Sequence, residues 1–234
     1  MSEFIRDNQS IHYEVKGCEN TDLKTPILLL HGNGESLHVF DKSCESLLSS
    51  RTFVMLDSRL QGESHRLEGG KIALSYKTMA DDAIALMQML NIKEYDVVGY
   101  SDGGIVALLM AMKTYDVRKI IAIGTNMSPS GLTKHAQRQI RSAYRKAVRK
   151  NDEMQAELMR LMLEEPVVNP NDFSKIFAET TIVLGSKDAV IEQKHSLSIA
   201  DAIPRGSHMT IEGAGHDIPV THPGTLSDLI RTLL

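Results

Sequence analysis

A mostly parallel β-sheet with helices on both faces is the fold class that this sequence predicts, and two observations predict it. Continuous apolar runs, each as short as a strand and closed by turn residues, recur along the chain. Segments of helical period lie between them, and that alternation is the pattern of a layered α/β domain.

The elements follow in chain order. Residues 4–6 and 11–15 alternate around a polar Asp7-Asn8 turn and read as an opening hairpin. The run Pro26-Ile27-Leu28-Leu29-Leu30 ends in His31-Gly32 and reads as a strand buried on both faces. A helical period spans 37–48, and a strand run spans 52–56. Residues 79–90 place Ala80, Ala83, Ile84, Met87 and Leu90 on one face behind a Thr78-x-x-Asp81 capping signal. Further strands are predicted over 95–99, 119–123, 181–184 and 208–211, with an apolar helix over 105–112.

The stretch 128–172 breaks this rhythm, being helical, charged and without a strand candidate. It is expected to be a small helical lid inserted between core segments 1–127 and 173–234. Its first half carries Lys134, Arg138, Arg141, Arg145, Lys146, Arg149 and Lys150. Such charge normally makes a solvated helix face, and the competing reading is a basic lid that influences substrate charge.

A chain of 234 residues with 42% hydrophobic and 24% charged content can bury one sizeable core without metals or disulfides. A formal charge of −4 gives no general attraction to nucleic acid or an anionic membrane, so neither is expected as a partner. With two cysteines, Cys18 and Cys44, a charged start and no long apolar run, a reducing cytoplasm is the expected location.

Chemistry concentrates at Gly99-Tyr100-Ser101-Asp102-Gly103-Gly104, which sits between a predicted strand and a predicted helix. That is the context of a nucleophile elbow, whose turn is so tight that positions two before and two after the nucleophile must be small. Around Ser101 those positions are Gly99 and Gly103; around Asp102 they would be Tyr100 and Gly104. Ser101 is therefore the candidate nucleophile, which disfavours the epoxide-hydrolase and dehalogenase chemistry that an aspartate there would support.

A serine hydroxyl needs a base, and His216 in Gly213-Ala214-Gly215-His216-Asp217 follows the last predicted strand, at the sheet edge where sites of open α/β folds gather. The acid that fixes the imidazole tautomer is expected to be Asp188, in the loop after the penultimate strand; Asp217, next to the histidine, is the weaker candidate, and the loop after Ile123 offers Asn126 rather than a carboxylate. Two backbone N–H groups must hold the oxyanion, and position assigns them to Asn33, in His31-Gly32-Asn33-Gly34-Glu35-Ser36, and to Asp102. His31, Gly32, Gly34 and Tyr100 are candidate pocket residues. No cofactor and no metal are implied: the histidines lack zinc spacing, and no phosphate-cradling glycine loop appears.

Together these motifs resemble the α/β-hydrolase family over essentially the whole chain. Asp57-Ser58-Arg59-Leu60-Gln61-Gly62-Glu63-Ser64 is similar to the family's Asp-x-Arg-Gly-x-Gly-x-Ser turn, with Leu60 in place of its first glycine. The resemblance implies an eight-stranded, mostly parallel sheet with a short lid after the sixth strand, close to small esterases and C–C hydrolases. It implies a serine hydrolase of a small ester, thioester or related acyl compound. C–C hydrolysis, acyl transfer or perhydrolysis with the same residues, and a ligand receptor without turnover, are the alternatives.

Overall fold

Two left-handed residues begin the fold. Asp7 (φ 46°) and Asn8 (φ 62°) form the two-residue turn between β1 (Ser2–Arg6) and β2 (Gln9–Gly17), a backbone shape that Asp and Asn tolerate better than other side chains. The computed structural model describes residues 2–18, 24–67 and 74–234. The other strands are β3 (Ile27–Leu30), β4 (Thr52–Leu56), β5 (His65–Arg66), β6 (Tyr95–Tyr100), β7 (Val117–Ile123), β8 (Glu179–Gly185) and β9 (Gly206–Ile211).

The sheet runs β1-β2-β4-β3-β6-β7-β8-β9, with the two-residue β5 paired to β2 as a ninth strand. All pairings from β4 to β9 are parallel, whereas β1, β2 and β5 pair antiparallel. Strands β3, β4 and β6 are buried along their whole length; β3 is an unbroken apolar run, whereas β6 also buries Asp96, which Arg118 holds through a salt bridge. Strand β9 closes an edge and leaves Ser207, His208, Met209 and Thr210 exposed, which its largely polar sequence accommodates.

Alternate strand residues feed two apolar layers. Leu28, Leu30, Val54, Val97 and Ile120 pack with α2 (Tyr76–Met89) and α3 (Asp102–Ala111). Ile27, Leu29, Phe53, Val98 and Ile121 pack on the other face with residues of α1 (Asp41–Cys44), α7 (Ile218–Thr221) and α8 (Pro223–Leu233). Each fully buried Leu, Ile, Val or Phe contributes about 1.5–3 kcal/mol, so both layers together stabilise the sheet.

Two expected helices differ in detail. The segment expected to be one helix over 37–48 is a 3₁₀ turn (Leu37–Phe40), α1, and a second 3₁₀ turn (Glu45–Leu47) in succession. Helix α2 starts ahead of the expected Thr78 cap, because the Ser75 side chain accepts from Thr78 N–H and caps the helix instead.

Between β7 and β8 the chain forms α4 (Lys134–Arg149) and α5 (Glu153–Glu164), and α6 (Gln193–Ala202) follows β8. Asn151, at φ 54°, turns the chain between α4 and α5, and Asp152 then caps α5 by accepting from Gln155 N–H at 3.0 Å. Among the described residues, no helix is long and apolar enough to cross a membrane.

The turn after β4 is held from its first residue. Asp57 Oδ1 accepts from Leu37 N–H at 2.7 Å, and its Oδ2 accepts from Glu63 N–H at 2.8 Å while facing His12 Nδ1 at 2.9 Å. Leu60 adopts φ 61°, the left-handed conformation for which the resembling turn uses glycine. The conformation costs about 1–2 kcal/mol for a residue with a Cβ, and burial of the leucine, 8% exposed, offsets it.

Candidate active site

The site forms where the parallel strands end. Strand β6 delivers Ser101 at φ 52°, ψ −114°, just before α3, a sparsely populated conformation that costs about 1–3 kcal/mol. Its glycines are sterically required: a Cβ on Gly99 would overlap the Gly103 carbonyl, and a Cβ on Gly103 would overlap that of Leu30. A Cβ on Gly104 would meet the Thr125 side chain. The same close packing that strains Ser101 pushes its side chain up from the turn.

His216 arrives on the loop between β9 and α7, and its Nε2 lies 3.1 Å from Ser101 Oγ. Its Nδ1 lies 2.9 Å from Asp188 Oδ2. Asp188 is fixed from behind, since its Oδ1 accepts from Val190 N–H at 2.7 Å and Ile191 N–H at 2.9 Å. Burial alone would raise the Asp188 carboxyl, but the hydrogen bond and charge of His216 and the two backbone donors outweigh it and hold the carboxyl below its ordinary range. Asp217 is exposed at the start of α7, outside this chain of contacts.

Gly124, at the end of β7 with φ 54°, leaves the room in which the imidazole sits; a Cβ there would press on His216 Cε1 and Nδ1. Gly185 likewise lets the loop after β8 touch the backbone of Ala214 and Gly215. Neither glycine was singled out by sequence, because only the folded chain brings His216 to them.

The cavity above Ser101 has a volume of about 240 Å³. Gly32, Asn33 and Glu35 line it from the loop after β3, with Tyr100 and His216 beside the serine. Helix α4 adds Ala136, Gln139 and Ile140, α5 adds Met159 and Met162, and Val190 completes the wall. Of the four pocket residues expected from sequence, Gly32 and Tyr100 line this cavity and His31 and Gly34 do not. Gly34 is exposed, and its N–H donates to Gln61 Oε1 at 2.6 Å.

His31 is 1% exposed and serves the loop instead. Its Nε2 accepts from Ser58 N–H at 2.8 Å, so Nδ1 carries the proton and donates to the Gly32 carbonyl at 2.7 Å. Burial lowers its pKa, consistent with that neutral form. The ring thus pins the loop after β3 to the turn after β4.

The seven basic residues of the 134–150 run are all exposed, and none lines the cavity. They form the solvated face, and the apolar side of α4 is the one turned inward.

Asp102 also points away from the cavity. It is buried, its Oδ2 accepts from Asn33 Nδ2–H at 2.9 Å, and among the described residues it enters no ion pair. Tyr76 Oη lies buried near the same carboxylate without a partner at normal hydrogen-bond geometry. Burial dominates, and despite Asn33, Tyr76 and the His216 charge it leaves the Asp102 carboxyl pushed up to about 6. Because the folded pKa is raised, Asp102 contributes stability that is complete below about 4 and is lost as pH rises through about 6. Asp102→Asn, which keeps an acceptor for Asn33, should therefore remove this slope. Urea unfolding should show the variant gaining on the wild type between about pH 4 and pH 7, by up to about 3 kcal/mol; parallel curves would contradict a strained buried carboxylate.

Asn33 has a second contact that its sequence position does not reveal. The same Nδ2 group donates to the Leu158 carbonyl of α5 at 3.3 Å, tying the loop after β3 to the inserted helices.

A family model of the alpha/beta hydrolase fold matches residues 25–165, which include the loop after β3, the elbow and both inserted helices. The chain belongs to the alpha/beta hydrolase family. It is a hydrolase of that fold, and full-length likenesses agree. It is 24% identical to a putative esterase/lipase of Haemophilus influenzae, covering 96% of this chain and 88% of that one. It is 25% identical to a 2-hydroxymuconate semialdehyde hydrolase of Pseudomonas putida, covering 89% and 86%. Among solved structures, the alpha/beta hydrolase MGS-M2 from a Medee basin deep-sea metagenome library superposes with a TM-score of 0.83 at 16% identity, covering 98% of this chain and 95% of that one. For an alpha/beta hydrolase, this chain keeps the eight-strand sheet path and carries β5 as an addition.

Proposed function

We propose that this hydrolase cleaves a small ester, thioester or related acyl compound through an acyl-enzyme on Ser101. The observation that carries the reading is the unbroken contact chain Ser101 Oγ, His216, Asp188, at 3.1 Å and 2.9 Å.

With Nδ1–H donating to Asp188, His216 Nε2 is free to accept the Ser101 proton as Oγ attacks the substrate carbonyl carbon. The tetrahedral oxyanion is held by the backbone N–H of Asn33 and that of Asp102, the latter among the helix N-terminal donors that lack an intrahelical acceptor. Protonated His216 then gives its proton to the leaving group, and the acyl group stays on Oγ. Water, activated by the same imidazole, completes hydrolysis. Asp102's carboxylate does not oppose the oxyanion, because its oxygens are directed toward Asn33 Nδ2 and the Tyr76 side, outside the cavity. Helices α4 and α5 act as a lid, offering the acyl chain an apolar wall of Ile140, Met159 and Met162.

The likeness to a 2-hydroxymuconate semialdehyde hydrolase supports C–C hydrolysis as the second reading, since the same three side chains and oxyanion donors serve it. A fluorophosphonate separates catalysis from a receptor role. It should modify Ser101 in the wild type and leave Ser101→Ala unmodified, as read by peptide mass; absence of the adduct would refute an activated serine. An ester chain-length panel, compared with a vinylogous diketone, then distinguishes C–O from C–C cleavage.

A further inference from the structure

The proposed acyl-enzyme reading leaves the substrate's charge open, and the inference below rests on that reading. Among the described residues that line the cavity, Glu35 is the only aspartate, glutamate, lysine or arginine. It stands on the loop that also carries Asn33, half-buried, with Oε2 accepting from Gly32 N–H at 3.2 Å. Among the described residues it enters no ion pair, and the basic side chains of α4 face solvent. The charged neighbours it feels are His216 and two more carboxylates, Asp102 and Asp217.

Tyr100, beside Ser101, is surrounded in the same way. Glu35, Asp217, Asp188 and Asp102 all act on its phenol and, after burial, hold its proton more tightly. Glu35 with Asp188 and Asp217 nearby, against one imidazole, makes a negative potential, and a cavity with low-dielectric walls focuses it. Holding Gly32 N–H requires an acceptor but no charge; a glutamine would serve. Asn33, Ser101, Tyr100, Gln139 and His216 give the cavity other polar groups, but no lysine or arginine among the described residues lines it, so the carboxylate is matched by a cation brought by the ligand.

We propose that Glu35 is the specificity-determining residue of this cavity, and that the substrate is a small acyl compound carrying an ammonium group that pairs with the Glu35 carboxylate. Anionic acyl compounds are correspondingly excluded. The apolar wall of Ile140, Met159 and Met162 accommodates the carbon skeleton between ammonium and carbonyl.

Two p-nitrophenyl methylphosphonates of matched shape test this, one with a 4-aminobutyl ester arm and one with a pentyl arm. Ser101 Oγ bonds to phosphorus in each, p-nitrophenolate leaves, and His216 takes the serine proton, so no particular acyl group is required. Rates are divided by each reagent's rate with hydroxide, at a pH where the amine is charged. The wild type should prefer the amino reagent by about tenfold or more, a partly screened single ion pair's worth. That preference should shrink between about 0.05 M and about 0.5 M NaCl. Glu35→Gln, which retains an acceptor for Gly32 N–H, should bring the ratio to about one.

A wild-type ratio near one, or a preference that survives intact in Glu35→Gln, overturns the proposal; modification of Ser101 by the pentyl reagent would then still uphold the serine mechanism. If neither reagent modifies Ser101, both readings fall. Should Glu35→Gln fail to fold, the same ratio measured on Glu35→Ser decides the question: a ratio near one upholds the proposal, and an intact preference overturns it.

Discussion

Ser101→Ala and His216→Ala should each lower kcat by about 10⁴-fold or more, and the double variant should be scarcely worse than either single one. The three side chains act as a unit: without Oγ there is no nucleophile for His216 to activate, and without Nε2, 3.1 Å away, the hydroxyl keeps its proton. Residual turnover over water would come from the oxyanion donors and the cavity. Neither change should disturb the fold, since Ser101 makes no helix-capping side-chain bond and His216 is positioned by loop backbone. The measurement is kcat on the best ester of the chain-length panel, with thermal melting as the control. Near-normal turnover by Ser101→Ala would eliminate the serine mechanism, and multiplicative losses in the double variant would mean that the two residues act separately.

Asp188→Asn should cost about as much, on the order of 10⁴-fold in kcat. Asp188 Oδ1 is occupied by Val190 N–H and Ile191 N–H, so an amide at this position keeps its carbonyl oxygen toward those donors and turns its NH₂ toward His216. Nδ1 must then accept, the proton moves to Nε2, and the ring can no longer receive the proton of Ser101. The loss should appear in kcat rather than KM, because the geometry survives and only the tautomer is wrong. Asp217→Asn is the matched control: Asp217 is exposed and does not contact the imidazole, so a small effect is expected. Retained activity in Asp188→Asn together with a collapse in Asp217→Asn would transfer the acid role.

Much of this arrangement is legible in the sequence because it is local. The Gly99 and Gly103 spacing identifies Ser101 as the residue at the turn's apex, because the elbow motif needs small residues two positions to either side; the folded chain shows why, as a Cβ on Gly99 would meet the Gly103 carbonyl and one on Gly103 that of Leu30. Apolar runs mark β3 and β4 as two-sided strands, and a parallel sheet collects the loops at their ends, which brings Asp188 and His216 to Ser101. The Asp7-Asn8 turn is equally local, set by the two residues that adopt it.

Tertiary structure alone decided the contacts between residues distant in the chain. His31 sits next to Gly32 in the expected pocket loop, yet a donor 27 positions away, Ser58 N–H, draws its ring out of the cavity. Asn33 is readable as a backbone donor, but its side chain's bridge to Asp102 and to the Leu158 carbonyl depends on how α5 settles over the elbow. The basic run in α4 could have faced either way until Ala136 and Ile140 chose the buried side. Glu35 carried no motif of its own, and its charge became meaningful only once folding placed it in a cavity that no lysine or arginine among the described residues lines. Local sterics and hydrophobic period are written in neighbouring residues, whereas the electrostatic character of a site is the sum over groups that only folding brings together.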